Sequence, residues 1–285
     1  MKGTNKTLIV IYGPTAIGKT KLAIELAHQH KTEIISADSR QFFKEMRIGT
    51  AVPNAEELNV IPHHFIQHIS IHDNYNVGLY EMEVTKKISA LFQTYDTLIL
   101  VGGSGLYIDA VCYGLDDFPD IDPDLRQSLR KQFSENGLDW LREEVRRLDP
   151  LFFQSSDLHN HQRLLRCLEV CLQSGQSFSQ FKKKKNIEKP FDIQFISIKM
   201  EREILYERID QRVDTMIENG LLQEAEQLRP FQHLNALQTV GYKELFAYFN
   251  NETDLESAIE LIKRNSRRFA KRQLTWLKKY PMEWV

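Results

Sequence analysis

A chain of 285 residues, 42% of them hydrophobic, can bury a substantial core, as one large domain or as one domain carrying an insert. A formal net charge of −2 argues against an overall nucleic-acid-binding composition, and no apolar run approaches the ~20 residues needed to cross a bilayer. Cys112, Cys167 and Cys171 are too few for a disulfide framework, and Met1 to Lys6 lead into a strand without a signal-peptide core, so a cytoplasmic enzyme with reduced thiols is expected.

The apolar run Leu8-Ile9-Val10-Ile11-Tyr12 predicts a buried strand. It leads into Gly13-Pro14-Thr15-Ala16-Ile17-Gly18-Lys19-Thr20, which fits the G-x-x-x-x-G-K-[ST] phosphate loop, and then into a helical pattern from Lys21 to His30. Strand, glycine loop and helix form the context this motif needs. Backbone N–H groups of such a loop converge on phosphate oxygens, and the helix N-terminus adds partial positive charge. Lys19 is placed to reach the phosphates and the Thr20 hydroxyl to sit on a magnesium ion.

A second strand, Glu33 to Ser36, runs into Ala37-Asp38-Ser39. Asp38 thus stands just past the C-terminal end of a strand, where ligands sit in open α/β sheets. It could accept a proton from an incoming nucleophile; capping the next helix or holding the loop's magnesium would use the same carboxylate. His64 to Ile69 is a weaker strand candidate with imperfect alternation. His63, His64, His68 and His72 invite a metal reading, but no further ligand pattern completes a site, and sheet and loop packing is expected.

A helix is predicted over Leu79 to Phe92 and a third buried strand over Thr97 to Val101. That strand ends in Gly102-Gly103-Ser104-Gly105, which turns it into another helix. P-loop nucleotide hydrolases carry an acid at the end of an apolar strand to hold magnesium. This corner offers none, which weakens the ATPase and GTPase readings. Strands alternating with helices imply a parallel sheet with helices on both faces.

After Gly114 the character changes. Residues Asp116 to Asp124 are turn-rich with five aspartates, and Leu125 to Leu148 reads as two helices broken near Asn136-Gly137. A helix from about Gln162 to Gln173 stops at Gly175, and the basic run Lys182 to Lys185 precedes the Lys189-Pro190 break. The run is either a second RNA contact or a connector. Cys167 and Cys171 share a helix face and read as small core residues. Strand character returns at Phe191 to Ile198, followed by long amphipathic helices from Glu201, Gly241 and Leu255. The division is therefore an α/β core of residues 1–114 and 190–285, with a helical insertion domain over 115–189.

From Lys263 to Lys279 the chain carries eight basic residues and no acidic one. Leu261, Ile262, Phe269, Leu274 and Leu277 give the same helix an apolar side. A solvated surface helix would carry both signs of charge, so contact with an RNA backbone is the expected role of the basic face.

With these motifs in order, the chain resembles the tRNA dimethylallyltransferases (isopentenyl-pyrophosphate transferases). The matching stretches are Gly13 to Thr20, Ser36-Ala37-Asp38-Ser39-Arg40-Gln41, Ile48-Gly49-Thr50-Ala51 and Pro62-His63-His64. They continue through Val101 to Tyr107, Asn160 with Arg163 and Leu168-Glu169-Val170, Val240 to Glu244, and Arg268 to Trp276. The ending at Val285, without a zinc-finger extension, points to a bacterial type.

The resemblance implies that the loop holds the pyrophosphate of dimethylallyl diphosphate, with Mg2+ on Thr20. The dimethylallyl group then moves to N6 of the adenosine 3′ of a tRNA anticodon, in tRNAs reading codons that start with U. Asp38 takes the N6 proton, and Arg208 and Arg212 match arginines associated with the diphosphate. Their four-residue spacing puts both on one helix face, suited to forked phosphate contacts, or else leaves them paired with Glu203 or Asp210.

By the same resemblance, Asp38, Ser39, Arg40 and Gln41 match a first tRNA-contacting stretch. Gln162, Arg163, Leu164, Leu165 and Arg166 match a second, and Gln238, Thr239, Val240, Gly241, Tyr242 and Lys243 a third. Ser104 and Arg126 fall at single contacts. Serine at 104 replaces the usual threonine, keeping the hydroxyl. Asn160-His161-Gln162-Arg163 departs from the usual Asn-Pro or Asn-Asp pattern, which places the second stretch to within a residue. A monomer is expected, with tRNA and the diphosphate as partners and no membrane. The alternatives are a small-molecule or nucleoside kinase, prenylation of a free adenine nucleotide, and a non-catalytic RNA-binding module; the last is disfavoured by intact Asp38 and Thr20.

Overall fold

The structure is a computed structural model and describes residues 6–182 and 189–285. It begins with β1 (Thr7–Tyr12), α1 (Lys19–His30), β2 (Ile34–Ser36), α2 (Ala55–Val60) and β3 (His63–His64). Next come α3 (Val77–Leu91), β4 (Thr97–Gly102) and α4 (Gly105–Tyr113). Four helices follow: α5 (Pro123–Leu148), α6 (Pro150–Ser155), α7 (His161–Ser174) and α8 (Phe178–Phe181). The chain closes with β5 (Asp192–Ser197), α9 (Arg202–Glu218), α10 (Leu221–Leu228), α11 (Tyr242–Phe249), α12 (Leu255–Leu277) and β6 (Met282–Trp284). It divides into two compact units, Met1–Tyr113 with Glu188–Val285, and Gly114–Ile187.

The larger unit is built on a six-stranded sheet in the order β3-β2-β4-β1-β5-β6, every pairing parallel. Strands covered on both faces need apolar residues at successive positions rather than alternation, which is why β1 and β4 read as continuous apolar runs. One face sends Leu8, Val10, Leu98 and Leu100 against Tyr80, Val84 and Ile88 of α3 and Ile108 of α4. The other sends Ile9, Ile11, Ile34 and Ile99 against Ala23 and Ala27 of α1. A third cluster gathers Val213, Leu221, Tyr242, Phe246 and Ile262 from the four C-terminal helices with Met46 and Ile71.

Three expectations change. The strand candidate His64 to Ile69 shrinks to β3, because Phe65 and Gln67 take positive φ (62° and 47°) and bend the chain away; only an isolated bridge, Phe43 to Ile69, survives. The helix after Gly241 is eight residues long, not an extended one. Strand β6 escapes the sequence pattern because it is three residues long and its Glu283 and Trp284 are exposed.

The smaller unit is helical among its described residues. Gly137 inside α5 has non-helical angles (φ 74°, ψ −168°), at the break the sequence marks. Its core joins Leu129, Leu141, Val145, Phe152, Leu164, Cys167, Leu168, Cys171 and Phe178. Asp149 caps α6 through the Phe152 N–H and also accepts from the Ser179 N–H (2.6 Å) and hydroxyl (2.9 Å). All three cysteines are free and buried. Lys182 lies over the Phe152 ring at 4.6 Å, while Lys183 to Lys185 fall outside the described residues. Among the described residues no helix is long and apolar enough to cross a membrane.

Candidate active site

The carboxyl ends of β1, β2 and β4 open onto a cavity of about 1090 Å³ in the larger unit. Thr15, Ala16, Gly18, Lys19 and Thr20 line it. Ala16 (φ 63°) and Gly18 (φ 105°) take left-handed backbone that curls the loop into the start of α1. Gly13 and Pro14 are buried beneath the loop, and Ile17 turns its side chain into a cluster with Leu205, Ile209 and Ala270. Lys19 Nζ donates to the Pro14 carbonyl at 2.8 Å. Burial draws its pKa down to about 8, with Asp38 opposing the shift and Arg212 adding to it.

Arg208 and Arg212 both line the same cavity. The Arg208 guanidinium lies beside Gly18, and Arg212 is close enough for Asp38 to counter the lowering effect of its burial. Asp210 is taken by Arg267, so it does not neutralise either arginine as an ion-pair partner. The cavity thus brings three cations to the phosphate loop and presents a helix N-terminus to the same space.

Asp38 lines the same cavity. Its Oδ1 accepts the Arg40 N–H at 3.0 Å, holding a turn; no helix follows until α2, so the helix-cap alternative falls. Ser104 stabilises that turn from the turn after β4, accepting the Ser39 N–H at 3.0 Å and donating to the Ser39 hydroxyl at 3.1 Å. The missing strand-end acid has a steric cause. A Cβ at Gly102 would collide with the Ala37 carbonyl, because Ala37 N–H bonds to Val101 O at 2.7 Å and presses the two strand ends together. The Thr20 hydroxyl and the Asp38 carboxylate are among the hard oxygens that line the cavity, the donor type that suits a hard divalent cation.

The stretches expected to meet tRNA divide by orientation. Ser39, Arg40, Gln41, Gln238, Thr239, Val240, Gly241 and Lys243 line the cavity. Arg40 spends Nη1 on the Asn235 and Ala236 carbonyls, and Gln41 its amide on the Thr50 and Ala51 carbonyls. Tyr242 does not face the cavity; it is fully buried, its hydroxyl on Glu224 and its ring beneath Gly49. Within the helical unit, Arg126 and Arg166 both pair with Glu169, and Arg163 stacks over Phe152. Gln162 is exposed, Leu165 packs partly against the core, and Leu164 is fully buried. Helical periodicity puts Leu164 on the stripe with Cys167 and Leu168, so its side chain packs instead of touching a ligand.

Helix α12 is less free than its acid-free sequence implies. Lys263 pairs with Asp214 and Glu260, and Arg267 with Asp210. Arg268, Phe269 and Arg272 line the cavity, so Phe269, 38% exposed, belongs to the wet side rather than the apolar one. Of the histidines, His63 lines the cavity. His64 meets Glu33, His63 bonds the Ile61 carbonyl, and His68 sits among Phe42, Phe65 and Tyr75. Among the described residues, the side chains of ligand type that lie close enough together to hold a metal ion are Asp149, Cys167 and Cys171, with no histidine among them.

Two residues were given no role of their own in the sequence reading. Glu224 of α10 accepts the backbone N–H groups of Arg47, Ile48 and Gly49 at 3.0, 2.8 and 2.9 Å, fixing the segment that carries Gly49, Thr50 and Ala51 into the cavity wall. Gln273 of α12 is buried against the phosphate loop. Its place on the stripe Ala270, Gln273, Leu277 was the available signal: a polar residue at a buried helical phase.

The family model for IPP transferase matches residues 41–280. A tRNA dimethylallyltransferase from Christiangramia forsetii is 54% identical over 274 residues, covering 96% of this chain and 91% of the relative. One from Flavobacterium johnsoniae is 52% identical over 280 residues, with the same coverages of 96% and 91%. Among solved structures, the full-length tRNA isopentenylpyrophosphate transferase from Bacillus halodurans matches with TM-score 0.72 and 35% identity, covering 98% of this chain and 89% of that one. A eukaryotic dimethylallyltransferase acting on tRNA matches with TM-score 0.81 and 29% identity, covering 95% and 70%.

Proposed function

This chain belongs to the IPP transferase family, and from that membership we propose that it moves a dimethylallyl group from dimethylallyl diphosphate to N6 of the adenosine 3′-adjacent to a tRNA anticodon, in tRNAs reading codons that start with U. The observation that carries this reading is one cavity that holds two kinds of chemistry. Lys19, Arg208 and Arg212 line it as cations suited to a diphosphate, and Asp38 lines it as a carboxylate suited to take a proton from an amine.

The C1–O bond of the allylic diphosphate breaks with carbocation character, and negative charge grows on the leaving oxygens. Lys19 and the two arginines stabilise that charge, and preorganised donors act most strongly where charge develops. The N6–C1 bond forms as the Asp38 carboxylate accepts the N6 proton. Asp38 is held for this by its bond from Arg40 and by the Ser39–Ser104 contacts. Magnesium, when bound at the Thr20 hydroxyl, would supply further Lewis-acid charge to the leaving diphosphate. No water needs activating, which agrees with the glycines at the end of β4.

The helical unit, through Arg126, Arg163 and Arg166, holds the tRNA, and the target adenosine is extruded into the cavity, the usual way to bring a base edge to an enzyme's reacting groups. A tRNA substrate supports a cytoplasmic site of action. The kinase reading is not favoured, because the relatives are tRNA prenyl transferases. Protein, magnesium, radiolabelled dimethylallyl diphosphate and bulk tRNA together should label the tRNA. Transfer to AMP alone, or phosphoryl transfer from ATP, would overturn the reading.

A further inference from the structure

Gln273 is 5% exposed, on the face of α12 that meets the sheet. Its Oε1 accepts the Thr15 N–H of the phosphate loop at 3.0 Å, and its Nε2 donates to the Gly103 carbonyl at 2.8 Å. Gly103 leaves room for this, since a Cβ there would collide with the amide nitrogen. The backbone carbonyl of Gln273 accepts the Tyr12 hydroxyl at 3.2 Å. One residue therefore ties together the end of β1, the phosphate loop and the turn after β4.

Those segments carry the two halves of the reaction. The loop bears Lys19 and Thr20. The turn bears Ser104, whose hydroxyl holds Ser39 and with it the Asp38 turn. A primary amide suits the bridge because it presents an acceptor and a donor in one rigid plane. An ionised carboxylate has no donor for the Gly103 carbonyl, and asparagine is one methylene too short.

We propose that Gln273 is a positioning residue that sets the spacing between the phosphate loop and the Ser104–Asp38 corner, and so between the departing diphosphate and the attacking amine. This rests on the prenyl-transfer reading above. It acts through Thr15 and Gly103 rather than on the substrate, so its loss should be felt in turnover more than in binding. Displacing reacting groups by about 1 Å can cost about 10²-fold in rate.

The test is steady-state transfer by Gln273→Met and Gln273→Glu beside the parent, with melting temperatures to confirm folding. Gln273→Met keeps the length and loses both hydrogen bonds; kcat should fall about 10²-fold while KM for dimethylallyl diphosphate and for tRNA stays within about threefold. In Gln273→Glu a protonated carboxyl can accept from Thr15 and donate to Gly103, whereas the ionised form cannot donate. Its kcat relative to the parent should therefore climb as pH is lowered, while the Gln273→Met ratio stays flat. Folded variants with parental kcat, raised KM alone, or a flat Glu-to-parent ratio would overturn the proposal. Should Gln273→Met fail to fold, the pH ratio of Gln273→Glu decides. An inactive parent sinks the functional reading and this proposal with it; an active parent with unaffected variants sinks only the proposal.

Discussion

Asp38 is fixed from both sides, by the Arg40 N–H on its own turn and by Ser104 through Ser39. Removing the carboxylate gives up the Arg40 bond but leaves the Ser39–Ser104 contacts in place. Asp38→Ala should lower single-turnover transfer by about 10²- to 10⁴-fold, the usual worth of a general base, while tRNA affinity in a filter-binding titration stays within a few-fold. An equal loss of affinity would make Asp38 a binding residue. Lys19 gives a pH dependence. With its pKa drawn down to about 8, it is protonated below that value in the free protein and neutral above it. Bound diphosphate favours the charged form. Diphosphate affinity should then be flat below about pH 8 and weaken about tenfold per unit above it, with proton uptake on binding in calorimetry. A pH-independent affinity between 7 and 9.5 would contradict this.

At the scale of elements, α12 sorts its cations by the acids of α9. Lys263 and Arg267 answer Asp214 and Asp210, whereas Arg268 and Arg272 line the cavity. Arg272→Ala should weaken tRNA binding and reduce the slope of log affinity against log salt by about one, while Lys263→Ala leaves the slope unchanged. Equal slopes for both variants would return α12 to a generic basic surface. In α7, Glu169 is buried between Arg126 and Arg166 and fixes both. Glu169→Gln should weaken tRNA affinity without moving KM for dimethylallyl diphosphate. The strand, loop and helix around Gly13 to Thr20 were legible because every signal is local: an apolar run, fixed glycine spacing and a helical repeat. Glu224 and Gln273 were not, since each acts on backbone 170 or more residues away in sequence. The salt bridges of α12 were hidden for the same reason. An acid-free stretch says nothing about the acids a neighbouring helix brings.

The molecule as a whole divides its labour between a parallel-sheet unit that owns the cavity and a helical unit whose arginines share Glu169. A ligand held by the larger unit alone should stabilise that unit by RT ln(1 + [L]/Kd), about 2.7 kcal/mol at 100 times Kd. Scanning calorimetry with diphosphate and magnesium should raise the transition that carries the sheet, and the variant Lys19→Ala should abolish the rise. A rise undiminished in Lys19→Ala would place the diphosphate elsewhere. The grip of Glu224 on three consecutive amides has its own signature. Loops normally exchange their amide protons in moments, because nothing holds them when the chain breathes. Arg47, Ile48 and Gly49 are bonded instead to a carboxylate on α10, so their protons are released only when that helix lets go. In deuterium oxide these three should keep time with the protein's interior, a stretch of loop that exchanges like core.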